Sequence, residues 1–432
     1  MFPSQALPVH AVFVRNRLQA AGAHADLRVV SPVPVFPIAT RFIDRYKARL
    51  EIPRHQIHGA SAMGPPLTAH YPHFLSVPGF VKPADGVALA EAFLREMRRL
   101  EQEEGFVPDL IDAHLAFPDG FAAALVAKWT GLPFTITLRG HDINDLPRFP
   151  VRWAQVKYAL SKADRVIGVC RALVDGAIDA GMDPAKGVAI ANGVDPVRFA
   201  PIDKVAARKA LGLPLDVPLV VSVGHMVERK GFHILVDALD QLKQRGRDDV
   251  HMVFVGGAGE EGDFVQQVRE KVSSAGLTER VHFTGAVVNT ELPRYYSAAD
   301  VFALATAKEG WPNVLFESLA CGTPPVITEV WGTPECLCRP EFGVLVKERT
   351  GAAFADGLAK ALDTDWDSDL LVRYARANTW ATVGRRTVTE FERTMGVRAG
   401  VSQAQLDADL GPAPVGPKLP EAEQAHGTGE EA

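Results

Sequence analysis

Short apolar runs alternate with segments of helical periodicity along most of this chain. Strands that are apolar throughout are buried on both faces, and helices between successive strands imply parallel pairing. The alternation therefore predicts an α/β fold built on doubly wound parallel sheets. The predicted strands are Leu27–Val30, Leu110–Ile111, Phe134–Leu138, Val166–Val169, Leu219–Val223, Val250–Val255, Val281–Phe283, Val301–Leu304, Val326–Ile327 and Val344–Val346.

The chain has 432 residues, more than one ordinary hydrophobic core holds, so we expect two domains and a tail. A turn-forming segment, Ala191–Pro196, interrupts the alternation near the midpoint and is typical of a domain boundary. The sequence therefore predicts a first domain over residues 1–195 and a second over residues 196–379. The Pro-, Gly-, Ala- and Glu-rich tail, 398–432, buries too little apolar surface to offset its ordering entropy and is predicted to be disordered.

The beginning of the chain departs from this pattern. A doubly wound domain normally opens with a buried strand, but MFPSQALPVHAVFVRNR resembles the loop that follows such a strand. Either the true start lies upstream or the first strand is missing, and we favour the upstream start.

The charge of the chain argues against nucleic acid as a partner. A nucleic-acid-binding domain usually carries a basic face, whereas this chain has a formal net charge of −6. Two short basic stretches, Arg41–Arg49 and Arg95–Arg99, are interpreted either as solvated helix faces or as contacts with an anionic membrane surface.

Cysteine usage and hydropathy indicate the compartment. The four cysteines (Cys170, Cys321, Cys336 and Cys338) lack metal-knuckle spacing, and reduced cytoplasmic thiols are the simplest interpretation. The first residues lack the pattern of a signal peptide, and no run reaches 18 apolar residues, so we expect no spanning helix.

Three strand-to-helix junctions in the second half carry the chemistry. In the first, Val223–Gly231 precedes the amphipathic segment FHILVDALDQL, so Lys230 is expected near the N-terminus of a helix. A lysine beside free backbone N–H groups neutralises a diphosphate well. The alternative is a solvated loop lysine.

The second junction contains a glycine pattern. Gly257, Gly259 and Gly262 match G-x-G-x-x-G after a strand, and Glu279 follows at about the expected distance. A dinucleotide fingerprint usually follows the first strand of a domain, whereas this one follows the second. NAD binding is therefore the disfavoured interpretation.

The third junction holds two glutamates, Glu309 and Glu317, in KEGWPNVLFESLACGTP. Pro312 suits the first turn of a helix that ends at Gly322, which places Glu309 in the preceding loop and Glu317 near the second turn. Free N–H groups around Asn313–Leu315 suit a phosphate. Carboxylates beside an anion site make sense as acceptors for hydroxyls of a sugar and a ribose.

In the first half, polar groups follow predicted strands. His141, in LRGHDIN, lies where open α/β sheets bind ligands, although a lone histidine is more often structural. Asp112, His114 and Asp119 follow another strand in the same way and are candidates for an acceptor side.

No metal site is predicted. Asp363 with Asp365, and Asp407 with Asp409, have D-x-D spacing, but neither pair follows a buried strand. The chain also lacks a G-x-S-x-G elbow and a G-x-x-x-x-G-K-[ST] loop.

Taken together, these segments resemble the retaining GT-B glycosyltransferases of family 4, especially bacterial members that build cell-surface polysaccharides. The resemblance covers nearly the whole chain and is most specific in EGWPNVLFESLACGTPPVI. It implies two facing Rossmann-like domains with an interdomain cleft, an acceptor-side domain followed by a nucleotide-sugar-binding domain. It also implies that the helix over residues 380–397 crosses back to the first domain.

The resemblance implies roles for individual residues. Lys230 would bind the donor diphosphate, Glu309 the donor sugar hydroxyls and Glu317 the ribose hydroxyls, while His141 would lie beside the transferring sugar. The implied mechanism is retaining and needs neither metal nor cofactor. Further donor-binding candidates are His225, Arg229, Gly257, Gly310, Asn313, Val314 and Leu315, and the acceptor-side candidates are His10, Ala11, His114, Asp119 and Arg139.

Two departures from the family pattern concern binding. Many members carry arginine as a second diphosphate ligand where this chain has His225, so donor binding is expected to rely on Lys230 or on Arg229. The family often has glycine in the first loop, where this chain has His10 and Ala11.

The expected partners are a nucleotide-sugar and a glycan or lipid-linked acceptor, with peripheral contact at the inner membrane face. The alternatives are a nucleotide-sugar epimerase, an NAD-dependent enzyme on a similar scaffold, or a catalytically impaired homologue. The donor, the acceptor and the oligomeric state are not encoded in these motifs.

Overall fold

The computed structural model describes residues 2–8, 11–36, 47, 49–77, 79–259 and 262–410. The apolar runs become buried strands as predicted, and several shorter strands join them. The strands are β1 (Val29–Val30), β2 (Val33–Val35), β3 (His55–His58), β4 (Leu67–His70), β5 (His73–Leu75), β6 (Ile111–His114), β7 (Phe134–Leu138), β8 (Arg165–Gly168), β9 (Gly187–Ala189), β10 (Leu219–Val223), β11 (His251–Val255), β12 (Val281–Gly285), β13 (Val301–Leu304), β14 (Pro325–Thr328) and β15 (Val344–Val346).

Helices follow most of these strands. They are α1 (Val12–Ala21), α2 (Asp85–Glu104), α3 (Phe121–Thr130), α4 (His141–Asn144), α5 (Pro150–Lys162), α6 (Arg171–Asp179), α7 (Lys204–Leu211), α8 (Phe232–Gln244), α9 (Val265–Ser274), α10 (Leu292–Ala298), α11 (Asn313–Ala320), α12 (Thr333–Cys336), α13 (Gly351–Asp363), α14 (Ser368–Ala377), α15 (Trp380–Arg398) and α16 (Gln403–Leu410). Within the described ranges, no helix is both long and apolar enough to cross a membrane.

The second domain contains one parallel sheet of six strands in the order β12-β11-β10-β13-β14-β15. This is the doubly wound order in which the first strand lies at the centre and the direction of winding reverses beside it. The reversal lies between β10 and β13, which pair at Val220 with Val301 and Val221 with Phe302. Loops that leave the carboxyl ends of these two strands therefore diverge and leave room for a ligand.

The first domain contains a parallel sheet, β6-β7-β8-β9, and a smaller sheet, β1-β4-β3, in which β3 is antiparallel. β2 and β5 form a separate parallel pair. Helices cover the larger sheet, and its strand β7 is buried at every residue. The fold class is confirmed: each half of the chain is a Rossmann-like α/β unit.

The two domains are joined twice. The Ala191–Pro196 segment leads into the second domain, and Val194 forms a parallel bridge with Thr379 where the chain returns. A Cβ added to Gly193 would lie 2.4 Å from the nitrogen of Trp380, so the two crossings fit only with glycine there. From Trp380 onward, α15 packs against α1 of the first domain.

The segment after α15 differs from the prediction of disorder. Residues Gln403–Leu410 form α16, because Leu406 is buried and Asp407 accepts a hydrogen bond from the buried Arg393 at 2.5 Å. One apolar residue and one ion pair therefore hold α16 against α15. The composition of the segment does not reveal these two contacts. Residues 411–432 lie outside the described residues.

A buried carboxylate holds α15 to the first domain. Glu390 is fully buried and accepts from Arg165 Nε at 2.7 Å and from Arg393 Nε at 3.3 Å. Replacing Glu390 with alanine deprives two buried guanidinium groups of this carboxylate, so we expect the free energy of unfolding to fall by about 3–5 kcal/mol in urea titrations. The exposed Glu392→Ala on the same helix should change it by less than about 0.5 kcal/mol. Equal effects of the two variants would contradict this assignment.

Candidate functional site

The loop after β10 brings Lys230 to the reversal point of the second sheet. Residues Glu228–Lys230 form a 3-10 turn, and Gly231, at φ 75°, starts α8. A Cβ on Gly231 would lie 1.9 Å from the carbonyl oxygen of Ala305, so this turn packs directly on the end of β13. Arg349 fastens the turn by donating to the carbonyls of Glu228 and Ala305.

The loop after β13 supplies a carboxylate that meets two cations. Lys230 Nζ donates to Glu309 Oε1, and Arg229 Nη1 lies 3.5 Å from the same oxygen. Thr306 Oγ1 donates to it at 3.2 Å. The side chains of Glu309 and Lys230 are only 12% and 16% exposed. Two cations and one carboxylate therefore share a recess in which an anion can compete with Glu309 for the cations.

The second glutamate has a different environment. Glu317 lies on α11, and its Oε2 accepts from the hydroxyl of the fully buried Tyr296 at 2.9 Å. Burial raises the pKa of Glu317 to about 7, while the hydrogen bond from Tyr296 and the charge of Arg198 oppose the shift. Further hydrogen-bond donors to Glu317 would favour its charged form and lower its pKa.

The N-terminus of α11 faces the same junction. The helix begins at Asn313 after Pro312, and no side chain caps it. The N–H of Leu315 donates to the carbonyl of Pro312 at 3.0 Å, and the Leu315 side chain is fully buried. The N–H groups of Asn313 and Val314 remain the candidates for an anion at this helix end.

Two glycines of the loop after β11, Gly256 and Gly259, pack closely against the loop after β10. A Cβ on Gly256 would lie 1.8 Å from the carbonyl oxygen of Gly224, and Gly257 accepts from the nitrogen of Met226 at 2.7 Å. The exposed His225 lies over Gly259, where an added Cβ would be 2.8 Å from the His225 Cβ. Of the three glycines in the pattern, Gly259 is therefore required by packing, and Gly262 has a φ of 137° that favours glycine.

His141 approaches from the first domain. It begins α4, its side chain is 57% exposed, and its Nδ1 lies 3.2 Å from Asp145 Oδ2. Asp145 Oδ1 accepts from Lys308 Nζ of the second domain at 2.9 Å. Desolvation raises the pKa of Asp145, but the bonds from Lys308 and His141 outweigh it and hold the pKa below its usual value. Lys308, which precedes Glu309 in the sequence, is therefore hydrogen-bonded to Asp145, the residue that orients His141.

A chain of hydrogen bonds crosses from the first domain to the second. Arg139 donates to Asn192 Oδ1 at 2.9 Å and contacts His114 Nδ1 at 2.8 Å. His114 Nε2 lies 3.1 Å from Asp112, and burial lowers the pKa of His114 to about 4 although Asp112 opposes this. A neutral His114 therefore accepts from Arg139 at Nδ1. Asn192 Nδ2 then donates to Asn313 Oδ1 at 3.0 Å.

The two domains also touch through backbone at Gly310. A Cβ on Gly310 would lie 2.5 Å from the carbonyl oxygen of Arg139, and a Cβ on Gly140 would lie 3.6 Å from Gly310. The loop that carries His141 and the loop that carries Glu309 are therefore in direct contact.

The other acceptor-side candidates occupy different places. His114 and Arg139 belong to the buried chain, and burial raises the pKa of Asp119 in the turn after β6. Ala11 is buried in the left-handed region at φ 50° and precedes α1, a position that glycine occupies without strain. His10 lies outside the described residues.

The described basic stretch on α2 is paired with acids. Arg99 forms ion pairs with Glu96 and Glu103, and Arg95 lies 4.0 Å from Glu91. Most of Arg41–Arg49 lies outside the described residues. Where the chain is described, no group of three or more His, Cys, Asp or Glu is arranged to hold a metal ion.

Sequence reasoning missed several residues of this site. Asp145 stands four residues after His141, a spacing that places the two on one helix face, so the sequence contained this signal. Asn192 lies in the predicted domain boundary, and nothing in the sequence indicated that it would also contact the site. Thr306 and Tyr296 carried no pattern that distinguished them from ordinary loop and core residues.

Two family models match the chain. The model described as "Glycosyltransferase Family 4" matches residues 39–198, and the one described as "Glycosyl transferases group 1" matches residues 203–378. The gap between them follows the Ala191–Pro196 segment.

Proteins of similar sequence are also glycosyltransferases by name. TuaC of Bacillus subtilis, whose name describes a glycosyltransferase of teichuronic acid biosynthesis, is 30% identical over 368 residues, or 83% of this chain and 87% of that protein. A D-inositol 3-phosphate glycosyltransferase of Salinispora tropica is 29% identical over 57% of this chain and 54% of its own length.

Solved structures share the fold. Sucrose-phosphate synthase of Thermosynechococcus elongatus has a TM-score of 0.65 at 22% identity, covering 92% of this chain and 93% of that one. Anabaena HepE, solved with UDP, has a TM-score of 0.65 at 20% identity, covering 85% of this chain and all (100%) of its own. This chain belongs to the GT-B glycosyltransferases.

Proposed function

We propose that this glycosyltransferase moves a sugar from a nucleotide-sugar to an acceptor with retention of anomeric configuration and without a metal ion. The observation that carries the proposal is the convergence of Lys230 and Arg229 on Glu309 at the reversal point of the second sheet. Cations at the carboxyl end of the central strand suit a diphosphate, and a carboxylate among them suits sugar hydroxyls.

The donor would lie along three elements. Its diphosphate would contact Lys230 and the N–H groups at the start of α11, where the helix dipole favours an anion. Its ribose hydroxyls would donate to Glu317, and its sugar hydroxyls to Glu309. The loop around Gly257, joined to the loop after β10 by the Met226 hydrogen bond, would border the base.

The reaction would take place between the two contacting loops. The bond from the anomeric carbon to the diphosphate oxygen breaks, and the acceptor oxygen bonds to the same face of that carbon. The acceptor proton passes to the departing diphosphate. His141, oriented by Asp145, would lie beside the transferring sugar. Positioning and charge stabilisation would supply most of the rate enhancement.

The family resemblance supports proposals for the partners and the compartment. HepE has been solved with UDP-glucose, which makes UDP-sugars the first donors to test. The name of TuaC supports an acceptor in cell-surface polysaccharide synthesis, and we propose a glycan or lipid-linked acceptor. We propose a cytoplasmic protein with peripheral contact at the inner membrane face.

The alternative is a catalytically impaired homologue, and turnover measurements distinguish it from an active enzyme. An epimerase or NAD-dependent enzyme is disfavoured, because the G-x-G-x-x-G glycines follow β11, which is the second strand of its domain and not the first.

The first prediction of this proposal concerns turnover of the donor without acceptor. Across UDP-, GDP- and ADP-sugars, we expect slow hydrolysis of one donor that persists in EDTA and releases the sugar with its original anomeric configuration, followed by NMR. Glu309→Gln should reduce it at least about a hundredfold, because this carboxylate orients the sugar.

Glu291→Gln, which changes a half-buried glutamate of the same domain that pairs with Arg294, is the matched control and should leave turnover unchanged. Loss of turnover in EDTA, restored by a divalent cation, would contradict metal independence. Absence of both turnover and nucleotide-sugar binding would contradict the enzyme proposal.

A second prediction concerns pH. Because burial raises the pKa of Glu317 to about 7, and ribose hydroxyls would stabilise its charged form, donor binding should release a proton. The affinity for the nucleotide-sugar should therefore rise between pH 6 and pH 8 by about tenfold at most. Calorimetry should show this rise in the wild type and not in Glu317→Gln. The same pH dependence in both proteins would contradict the ribose assignment.

A further inference from the structure

Helix α6 of the first domain receives its N-terminal cap from the second domain. α6 begins at Arg171, in the loop after β8, and the residue before it, Cys170, forms no capping hydrogen bond. Instead, the carboxylate of Glu335 accepts hydrogen bonds from the backbone nitrogens of Arg171 at 2.7 Å and Ala172 at 3.0 Å. The first N–H groups of a helix have no partner within the helix, and the helix dipole favours an anion beside them. These two bonds therefore join the domains.

The segment that carries Glu335 is held in a fixed turn. Glu335 lies on α12, which follows β14. Between β14 and α12, the buried Thr333 donates from its Oγ1 to the carbonyl of Thr328 at 2.7 Å and accepts from the nitrogen of Val330 at 2.8 Å. The turn is therefore closed by its own hydrogen bonds, and Glu335 is presented to α6 from a fixed backbone.

The same turn packs closely on both domains at Gly332. A Cβ added to Gly332 would lie 2.2 Å from the carbonyl oxygen of Gly310 and 2.9 Å from the Cβ of Cys170. Gly310 belongs to the loop of Glu309, and Cys170 immediately precedes α6. Glu335 therefore lies beside the point where the Glu309 loop and the start of α6 meet.

Helix α6 also contacts both loops of the candidate site. The Cδ1 atom of Leu173 lies 3.5 Å from the position of a Cβ on Gly310, and a Cβ on Gly176 would lie 2.6 Å from Cγ2 of Ile143. Ile143 is part of α4, the short helix that begins with His141. Because no side chain fits between α6 and α4 at this point, a displacement of α6 would displace His141 as well.

The bonds to α6 do not favour the ionised carboxylate over water. Burial raises the pKa of Glu335, although the bonds from Arg171 and Ala172 oppose the shift. The cost of removing this carboxylate from water is therefore not offset by the two bonds. A role in helix stability alone does not account for Glu335 in this place, whereas a role in the alignment of the two domains does.

We propose that Glu335 is a positioning residue for sugar transfer, which holds α6 and α4 so that His141 faces the Glu309 loop. Glu335 acts through the backbone of α6 and not by contact with the donor or the acceptor. The proposal rests on the proposed function, in which His141 lies beside the transferring sugar.

The first test separates turnover from nucleotide binding in the full chain. In Glu335→Ala, we expect kcat for hydrolysis of the nucleotide-sugar to fall at least about tenfold, because a small displacement of reacting groups slows a reaction strongly. The affinity for the nucleotide that binds among UDP, GDP and ADP should stay unchanged, because Lys230 and the start of α11 both belong to the second domain. Glu335→Gln, whose amide oxygen still accepts a hydrogen bond, should retain more of the kcat.

The matched control is Glu341→Ala, which changes an exposed glutamate of the same domain and should leave kcat unchanged. Equal kcat in Glu335→Ala and Glu341→Ala would overturn the proposal. A parallel loss of kcat and nucleotide affinity in Glu335→Ala would also overturn it, since that result indicates a general structural role.

A further variant separates positioning from capping. Cys170→Ser places a hydroxyl at the N-cap of α6, where serine caps a helix from within its own domain. Combined with Glu335→Ala, it should reverse any fall in the thermal midpoint but not the fall in kcat, because the link between the domains is still missing. Recovery of kcat together with the thermal midpoint would show that capping is the whole role and would overturn the proposal.

A distance measurement tests the alignment without any turnover. Spin labels are attached to Lys128→Cys on α3 and Asp248→Cys in the second domain, both exposed positions, in a chain whose exposed Cys338 is replaced by serine. We expect a broader distribution of distances in Glu335→Ala than in the chain that keeps Glu335. An unchanged distribution would overturn the proposal. A broader distribution in a protein that shows no turnover even with Glu335 would contradict the proposed function while supporting the alignment of the domains by Glu335.

Discussion

The site depends on the close approach of two loops from different domains. Gly310 lies against the carbonyl of Arg139, and Asn192 links Arg139 to Asn313, so the start of α11 is fixed relative to the first domain. A side chain at position 310 would collide with that carbonyl and separate the loops. This contact places His141 and Glu309 on facing loops, although more than 160 residues separate them in sequence.

The charged groups of the site hold one another in position. Glu309 holds Lys230 and Arg229 in a recess where each side chain is less than a third exposed. A diphosphate entering the recess would replace Glu309 as the partner of the cations, and the carboxylate would then be available to sugar hydroxyls. The cost of orienting these groups is met during folding, which is the electrostatic preorganisation expected of such enzymes. The neutral His114 likewise orients Arg139 by accepting a hydrogen bond from its guanidinium group.

Much of this fold could be predicted from the sequence. The bounds of β7, β10, β13 and β15 match their predictions, since each strand consists mainly of apolar residues. β3, β4 and β5 were missed because His55–His58, Leu67–His70 and His73–Leu75 mix polar and apolar residues, as short strands in a small sheet and a lone pair do.

The site could be predicted only in part. The sequence placed Lys230 and Glu309 after strands, but their contact depends on β10 lying beside β13, which is a property of sheet order. The hydrogen bond from the N–H of Leu315 to Pro312 within the helix turn could not be predicted from the sequence either, and the donor-binding role of Leu315 stays a prediction. The anchor of α16 depends on Leu406 and Asp407 finding partners in α15, which the composition of the tail does not encode.

The central claim is that Lys230 binds a diphosphate while Glu309 binds the sugar, and calorimetry with UDP, GDP and ADP tests it most directly. For the nucleotide that binds, Lys230→Met should weaken affinity at least about tenfold, because a charge-assisted hydrogen bond is lost. Glu309→Gln should leave that affinity unchanged or increase it, since the competing carboxylate is gone. Unchanged affinity in Lys230→Met, or an equal loss in both variants, would contradict the account.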